Sequence, residues 1–175
     1  MTYRLIQRNK IQQGIDLCEE NIFAFLETAQ SLLDTNNLNH ATISAEFAIE
    51  EFGKILMIRD ACKSGSDPVQ VPNQVFTSHE DKSDRAWRKN DLYALDPRYK
   101  MISKGGFERS DNGKQGFSRS FTQAINITHD IRKECAFVDY CEDEGLWYLG
   151  HPEIDEVKLQ NLIDHVKEKT SISSQ

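Results

Sequence analysis

The sequence predicts an all-α protein, a bundle of about five helices with a long loop between the third and fourth helices. Three observations support this prediction. Apolar residues recur every three or four positions over long stretches, turn-forming residues separate these stretches, and one stretch is apolar around most of its circumference. A helix of the last kind has to be covered by several neighbours, so the pattern favours a helical bundle.

The first two helices show the clearest pattern. From Ile11 to Leu32, apolar residues follow one another in steps of four and three, which predicts a helix of roughly 25 residues. The sequence Asp-Thr-Asn-Asn at 34–37 ends this pattern, and a second helix is predicted over 39–62 before a segment with Gly65 and Pro68. We expect these two helices to form an αα-hairpin.

The remaining elements are predicted from turn signals and shorter apolar stripes. A third helix is expected over 74–95, with His79 on its apolar stripe, and residues 97–116 form a long, locally basic loop. A fourth helix is expected over 117–134, and the apolar run at 136–140 is compatible with an extended segment. Pro152 then opens a last helix, whose apolar residues are Val157, Leu159, Leu162, Ile163 and Val166.

Composition and charge exclude several classes of protein. We expect one domain over 1–170 and a flexible polar tail at 171–175. The 21 Lys and Arg against 28 Asp and Glu give a net charge of −7, which argues against a generally basic nucleic-acid-binding surface. No apolar run reaches the roughly 20 residues of a membrane helix, and the N-terminus has no secretory signal. We therefore expect a cytoplasmic protein with no membrane contact and with reduced cysteines.

The second helix carries charges among its apolar residues. Glu46, Glu50, Glu51 and Lys54 are embedded in a helix that is apolar on opposite sides. Because a carboxylate removed from water costs several kcal/mol unless it is paired, these acids need cationic partners. Glu50 and Lys54 have the i,i+4 spacing of a helix ion pair. Further cations are expected from the other helices, and the candidates are His79, Lys82 and Arg132.

Two interpretations of this charge cluster stay open at the level of sequence. In the first, the cluster is structural, either an ion-pair network that fixes helix register or an exposed polar face with some apolar residues at a dimer seam. In the second, it lines a cleft in which neighbouring charges perturb one another and serve acid and base chemistry. Metal catalysis is not expected, because the Glu-x-x-His spacing of helical di-iron sites does not occur. The segment around Gly113 and Lys114 also lacks the pattern of a phosphate-binding loop, so no cofactor is predicted.

Three sequence blocks resemble, in order, the signature blocks of the AbiV family of bacterial abortive-infection proteins, which belong to the all-helical HEPN class. The blocks are AEFAIEEFGK at 45–54, FTSHEDK at 76–82 and IRKECAFVDY at 131–140. The resemblance implies a HEPN-like bundle and a role in phage defence, in which the infected cell blocks translation after sensing a phage protein. It further implies a homodimer and, for many proteins of the class, metal-independent cleavage of RNA.

The chain departs from the usual HEPN ribonuclease motif, Arg-x4-6-His, because no Arg is followed by a His with four to six residues between them. A composite site is the hypothesis that replaces this motif. In it His79, Arg132 and Glu51 are catalytic, whereas Glu50, Lys54 and Lys82 bind substrate.

The alternative is a non-catalytic helical dimer. Its polar helix faces and basic loop at 98–114 would bind a phage-encoded activator protein, RNA or the ribosome. A helical adaptor with no role in defence is a third interpretation.

Overall fold

The computed structural model describes residues 2–90, 138–141, 146–149 and 154–172. The described part is mostly helical, which confirms the predicted all-α class. The helices are α1 (Arg8–Asp34), α2 (Leu38–Cys62), α3 (Gln74–Thr77), α4 (His79–Asn90) and α5 (Glu156–Ile172). The strands are β1 (Tyr3–Ile6), β2 (Val69–Pro72), β3 (Val138–Cys141) and β4 (Leu146–Leu149). The predicted loop at 97–116 and helix at 117–134 lie outside the described residues.

Helices α1 and α2 form the predicted αα-hairpin. The turn between them is a Schellman motif: Asn36 has a positive φ of 59°, and the amides of Asn36 and Asn37 donate to the carbonyls of Leu33 and Leu32. Asn is one of the residues that tolerates this left-handed conformation, so the polar break in the sequence has a defined structural role. The buried stripe of α1 follows the predicted spacing at Ile11, Ile15, Cys18, Ile22, Leu26, Ala29 and Leu33.

Helix α2 is the central element of the fold. It packs against α1, α4, α5 and β2, and its buried residues are distributed around most of its circumference. This burial confirms the prediction of a helix covered by several neighbours. Glu46 and Glu50 are buried with it, at 4% and 6% exposure.

The predicted third helix is interrupted at Ser78, and the prediction of one continuous helix was wrong at this point. Ser78 is extended, with φ −104° and ψ 111°, and its Oγ accepts the amide of Asp81 at 3.1 Å. This is an N-cap, which starts a new helix at the next residue. His79 is therefore the first residue of α4, with its side chain 53% exposed, and is not part of a buried stripe.

Helix α4 lies against α2 at a very close crossing. A Cβ at Gly53 would overlap the carbonyl oxygen of Lys82, so only glycine permits this approach. Farther along the two helices, Arg85 forms an ion pair with Asp60. Ala86 and Trp87 of α4 are fully buried in the same core.

The last helix covers α1 and α2 from the C-terminal part of the chain. It begins after Asp155, whose Oδ1 accepts the amide of Lys158 at 3.2 Å, and it continues to Ile172. Gln160 and Gln30 exchange hydrogen bonds at 2.8 and 2.9 Å across the contact with α1. Of the five apolar residues named for this helix, four are buried, namely Leu159, Leu162, Ile163 and Val166, whereas Val157 is 69% exposed.

Two antiparallel strand pairs accompany the helices. Strands β1 and β2 pair with Tyr3 opposite Pro72 and Ile6 opposite Val69, and neither strand was predicted. Strands β3 and β4 pair with Val138 opposite Leu149, so part of the apolar run at 136–140 is indeed extended. Within the described residues, no helix is both long and apolar enough to cross a membrane.

Candidate functional site

Glu50 and His79 form a hydrogen-bonded pair between α2 and α4. His79 Nδ1 donates to Glu50 Oε2 at 2.6 Å, and the Glu50 side chain is only 8% exposed. The imidazole is 53% exposed, so one end of the pair is inside the fold and the other faces solvent. The short distance indicates a charge-assisted hydrogen bond.

The position of His79 follows from the local sequence. The Ser78 cap starts α4, and this places His79 in the first turn of the helix beside Glu50. The second ring nitrogen, Nε2, is not used by the bond to Glu50. An imidazole held in this way by a carboxylate has a fixed tautomer and can exchange a proton with a group that approaches from solvent.

Glu51 has a different partner. Lys54 Nζ donates to both carboxylate oxygens of Glu51 at 2.7 Å, and the two side chains are 15% and 21% exposed. The expected i,i+4 pair between Glu50 and Lys54 was therefore wrong. Lys54 pairs with Glu51, three residues before it, because Glu50 faces α4 and forms its hydrogen bond with His79.

The pair of Glu51 and Lys54 lies beside Cys18 of α1. Burial raises the pKa of the Cys18 thiol from 9.0 to about 12. Among the smaller influences on this pKa, the ammonium of Lys54 lowers it, the charge and hydrogen bond of Glu51 raise it, and the ammonium of Lys82 lowers it. The sequence predicted only that the cysteines are reduced, and nothing in it indicated the contact of Cys18 with this ion pair.

A cleft of about 450 Å³ opens between α1 and α2 at this ion pair. Glu51 and Lys54 line it, together with the α1 residues Leu17, Cys18, Glu20, Asn21 and Ala24. Lys82 is buried, at 5% exposure, and the charge of its ammonium group lowers the pKa of the Cys18 thiol. Among the described residues, no group of three His, Cys, Asp or Glu side chains is placed to hold a metal ion.

The structure thus places five of the six predicted site residues on α2 and α4. It joins Glu50 to His79 and Glu51 to Lys54, and it buries Lys82 on the same face of α4 as His79, three residues later. The sixth residue, Arg132, lies outside the described residues.

Comparison with known protein families gives a match over most of the chain. The sequence model of the HEPN_AbiV family, described as AbiV, matches residues 10–171. The chain belongs to the AbiV family of HEPN proteins. No curated protein and no solved structure matches this AbiV-family chain. Membership of the family indicates an abortive-infection role in phage defence.

Proposed function

We propose that this AbiV-family protein arrests host gene expression or translation during phage infection by cleaving RNA without a metal ion. The observation that supports the chemistry is the pair of His79 and Glu50. Its hydrogen bond is 2.6 Å long, and it joins a buried carboxylate to a half-exposed imidazole. A carboxylate that orients an imidazole and stabilises its protonated form is a recurring arrangement in general acid and base catalysis.

In the proposed reaction, His79 Nε2 accepts the proton of a ribose 2′-hydroxyl. The O2′ attacks the adjacent phosphorus, the bond from phosphorus to O5′ breaks, and the leaving oxygen takes a proton from solvent. The products are a 2′,3′-cyclic phosphate and a 5′-hydroxyl. Glu50 stabilises the imidazolium that forms on His79.

Cationic side chains are needed for the charge that develops on the phosphate. We assign this role to Arg132. Lys82, which the sequence hypothesis placed among the substrate-binding residues, is buried at 5% exposure, and we assign to it a supporting role behind His79. The sequence hypothesis placed Glu51 among the catalytic residues and Lys54 among the substrate-binding residues. Since each neutralises the other at 2.7 Å, we now assign to both a supporting role next to the reacting residues.

The first test is whether the purified protein cleaves RNA. Transfer, messenger and ribosomal RNA are incubated with the protein under EDTA and, separately, with Mg²⁺. We expect cleavage at similar rates in both conditions and fragments that end in a cyclic phosphate. RNA that stays intact in both conditions contradicts the nuclease proposal.

A second candidate function is favoured by the charge around His79. Glu80 and Asp81 follow it in the first turn of α4, and both are exposed, so this surface is acidic. An acidic surface repels RNA phosphates and favours a basic protein partner. In this alternative the protein is a non-catalytic dimer that binds a phage-encoded activator or the translation machinery, and loss of RNA binding does not alter protection against phage.

We also propose that the protein is a cytoplasmic homodimer. This proposal rests on the frequent dimerisation of HEPN proteins. Light scattering on the purified protein should give twice the chain mass of 20.1 kDa. A mass of one chain at micromolar concentration contradicts it.

A further inference from the structure

Gly53 marks the closest approach of α2 to α4. A Cβ at this position would overlap the Lys82 carbonyl oxygen, and it would lie 2.6 Å from the Lys82 carbonyl carbon and 3.2 Å from the Lys82 Cα. All three atoms belong to the backbone, so no side-chain rotation can relieve the overlap. Any residue with a side chain would push α4 away from α2.

The crossing lies one helical turn from both members of the proposed pair. Glu50 precedes Gly53 by three residues on α2, and His79 precedes Lys82 by three residues on α4. Residues three apart share one side of a helix. The separation of the two backbones at Gly53 therefore determines how closely His79 approaches Glu50.

A glycine in the interior of a helix lowers the stability of that helix, so its presence at position 53 needs a structural explanation. It destabilises a helix by about 1 kcal/mol relative to alanine. Gly14, in the interior of α1, shows that this chain also contains a helical glycine with open space around it, since no atom lies within 4 Å of a Cβ built there. Gly53 differs because its missing side chain is what admits α4.

We propose that Gly53 is a positioning residue for His79: the close crossing it allows holds the imidazole within hydrogen-bond distance of Glu50. The effect of Gly53 on RNA cleavage rests on the proposed function. Its effect on the distance between His79 and Glu50 does not. Gly53 touches neither the imidazole nor a reacting atom. It acts by setting where the first turn of α4 lies.

The size of the effect follows from the distances. To bring a Cβ at residue 53 from 2.6 Å to the roughly 3.5 Å separation of non-bonded carbons, α4 has to move outward by at least about 1 Å, and the closer Lys82 carbonyl oxygen requires a larger movement. A movement of that size lengthens the bond from His79 Nδ1 to Glu50 Oε2 from 2.6 Å to about 3.6 Å, which is no longer a hydrogen bond. A misplacement of about 1 Å can lower a catalytic rate roughly 100-fold.

The experiment compares Gly53→Ala with the matched control Gly14→Ala. The first readout is the NMR signal of the hydrogen-bonded Nδ1 proton of His79 in protein labelled at histidine, and the second is the rate of RNA cleavage. In Gly53→Ala we expect this signal to disappear and the rate to fall about 100-fold. In Gly14→Ala both should match the unsubstituted protein, because the new methyl group meets nothing.

The two readouts separate the two proposals. A folded Gly53→Ala that keeps the Nδ1 signal overturns the positioning role. If the signal is lost but the unsubstituted protein cleaves no RNA, the positioning role stands and the proposed function fails.

If Gly53→Ala does not fold, as judged by circular dichroism, Ala86→Val decides the question. Ala86 is fully buried in the core one turn after Lys82, and we expect the added methyl groups of valine to push α4 outward from that core. Loss of the Nδ1 signal in that variant supports positioning by the close crossing, and its retention overturns it.

Discussion

Glu50 and Glu51 are consecutive residues of α2, yet they face different helices. Glu50 turns toward α4, where the half-exposed His79 holds it at 2.6 Å. Glu51 turns toward α1 and the buried thiol of Cys18. There Lys54, which also belongs to α2, donates to both oxygens of Glu51 at 2.7 Å. Neighbouring residues of a helix point about 100° apart, so each carboxylate meets a different set of partners.

The partners of the two carboxylates indicate which of the two pairs can do chemistry. The pair on the α1 side consists of two ions that neutralise each other at 2.7 Å. The pair on the α4 side ends in an imidazole that is 53% exposed, and the Nε2 atom of this ring is not used by the bond to Glu50. We therefore assign acid and base chemistry to the α4 side and stability to the α1 side.

The largest expected effect concerns activity. Glu50→Gln should lower RNA cleavage about 100-fold or more, because the amide cannot stabilise an imidazolium on His79. Glu51→Gln should change the rate by less than about threefold. Single-turnover cleavage assays at equal protein concentration measure both. Equal losses of cleavage rate in the two variants would contradict the assignment of catalysis to the α4 side alone.

The next effect concerns stability on the α1 side. Lys54→Met leaves the Glu51 carboxylate, which is 15% exposed, without its ammonium partner and should cost about 1–3 kcal/mol of unfolding free energy. The matched control is Lys63→Met. Lys63 pairs with Asp60 at 2.7 Å but is 72% exposed, and its loss should cost no more than about 0.5 kcal/mol. Urea unfolding gives both values, and equal costs would show that the Glu51 pair is no more important than a surface pair.

A smaller effect concerns thiol reactivity. Since the pKa of Cys18 is raised to about 12 by burial, its alkylation at pH 8 should be at least ~10-fold slower than that of half-buried Cys62. Because the thiolate is the reactive form, the rate at Cys18 should keep rising with pH from 7 to 10. Lys54→Met should slow it further, since the Lys54 ammonium lowers this pKa. Peptide mass spectrometry after iodoacetamide treatment resolves the two sites, and fast labelling of Cys18 would contradict its burial beside Glu51.

The smallest effect concerns the cleft between α1 and α2. Leu17 lines this cleft and is 58% exposed, so Leu17→Ser should change unfolding free energy by less than about 0.5 kcal/mol. RNA cleavage should also be unchanged if substrate binds only on the α4 side. If the variant cleaved RNA much more slowly at unchanged stability, the cleft would be part of the RNA-binding surface. Both sides of α2 would then be functional.

Much of the helical architecture could be predicted from sequence because it depends on apolar periodicity. The buried stripe of α1, the hairpin with α2 and the burial of Glu46 and Glu50 all follow from residues close together in the chain. The pairing of β1 with β2 could not be predicted in the same way. Its register, with Tyr3 opposite Pro72, joins segments from far apart in the chain, and neither segment has a pattern that indicates its partner.

The candidate site shows where sequence reasoning stops. Embedded charges correctly indicated that α2 carries a polar cluster, but the choice of partners depends on helix packing that local spacing does not encode. The i,i+4 spacing indicated Glu50 with Lys54, whereas the cap at Ser78 brings His79 to Glu50 instead. A glycine in the interior of a helix, as at Gly53, can indicate a close crossing with another helix. The sequence does not indicate which helix crosses there.

The most direct test of the central claim is the cleavage rate of His79→Asn relative to the unsubstituted protein, in EDTA. The side-chain amide nitrogen of Asn lies near the position of Nδ1, so it can still donate to Glu50 while nothing replaces Nε2. His40→Asn is the control, because His40 is an exposed histidine that contacts Asn37 at 2.9 Å, away from Glu50. The account predicts a loss of about 100-fold or more in His79→Asn, an unchanged melting temperature and full activity in His40→Asn. Full activity in a folded His79→Asn would contradict it.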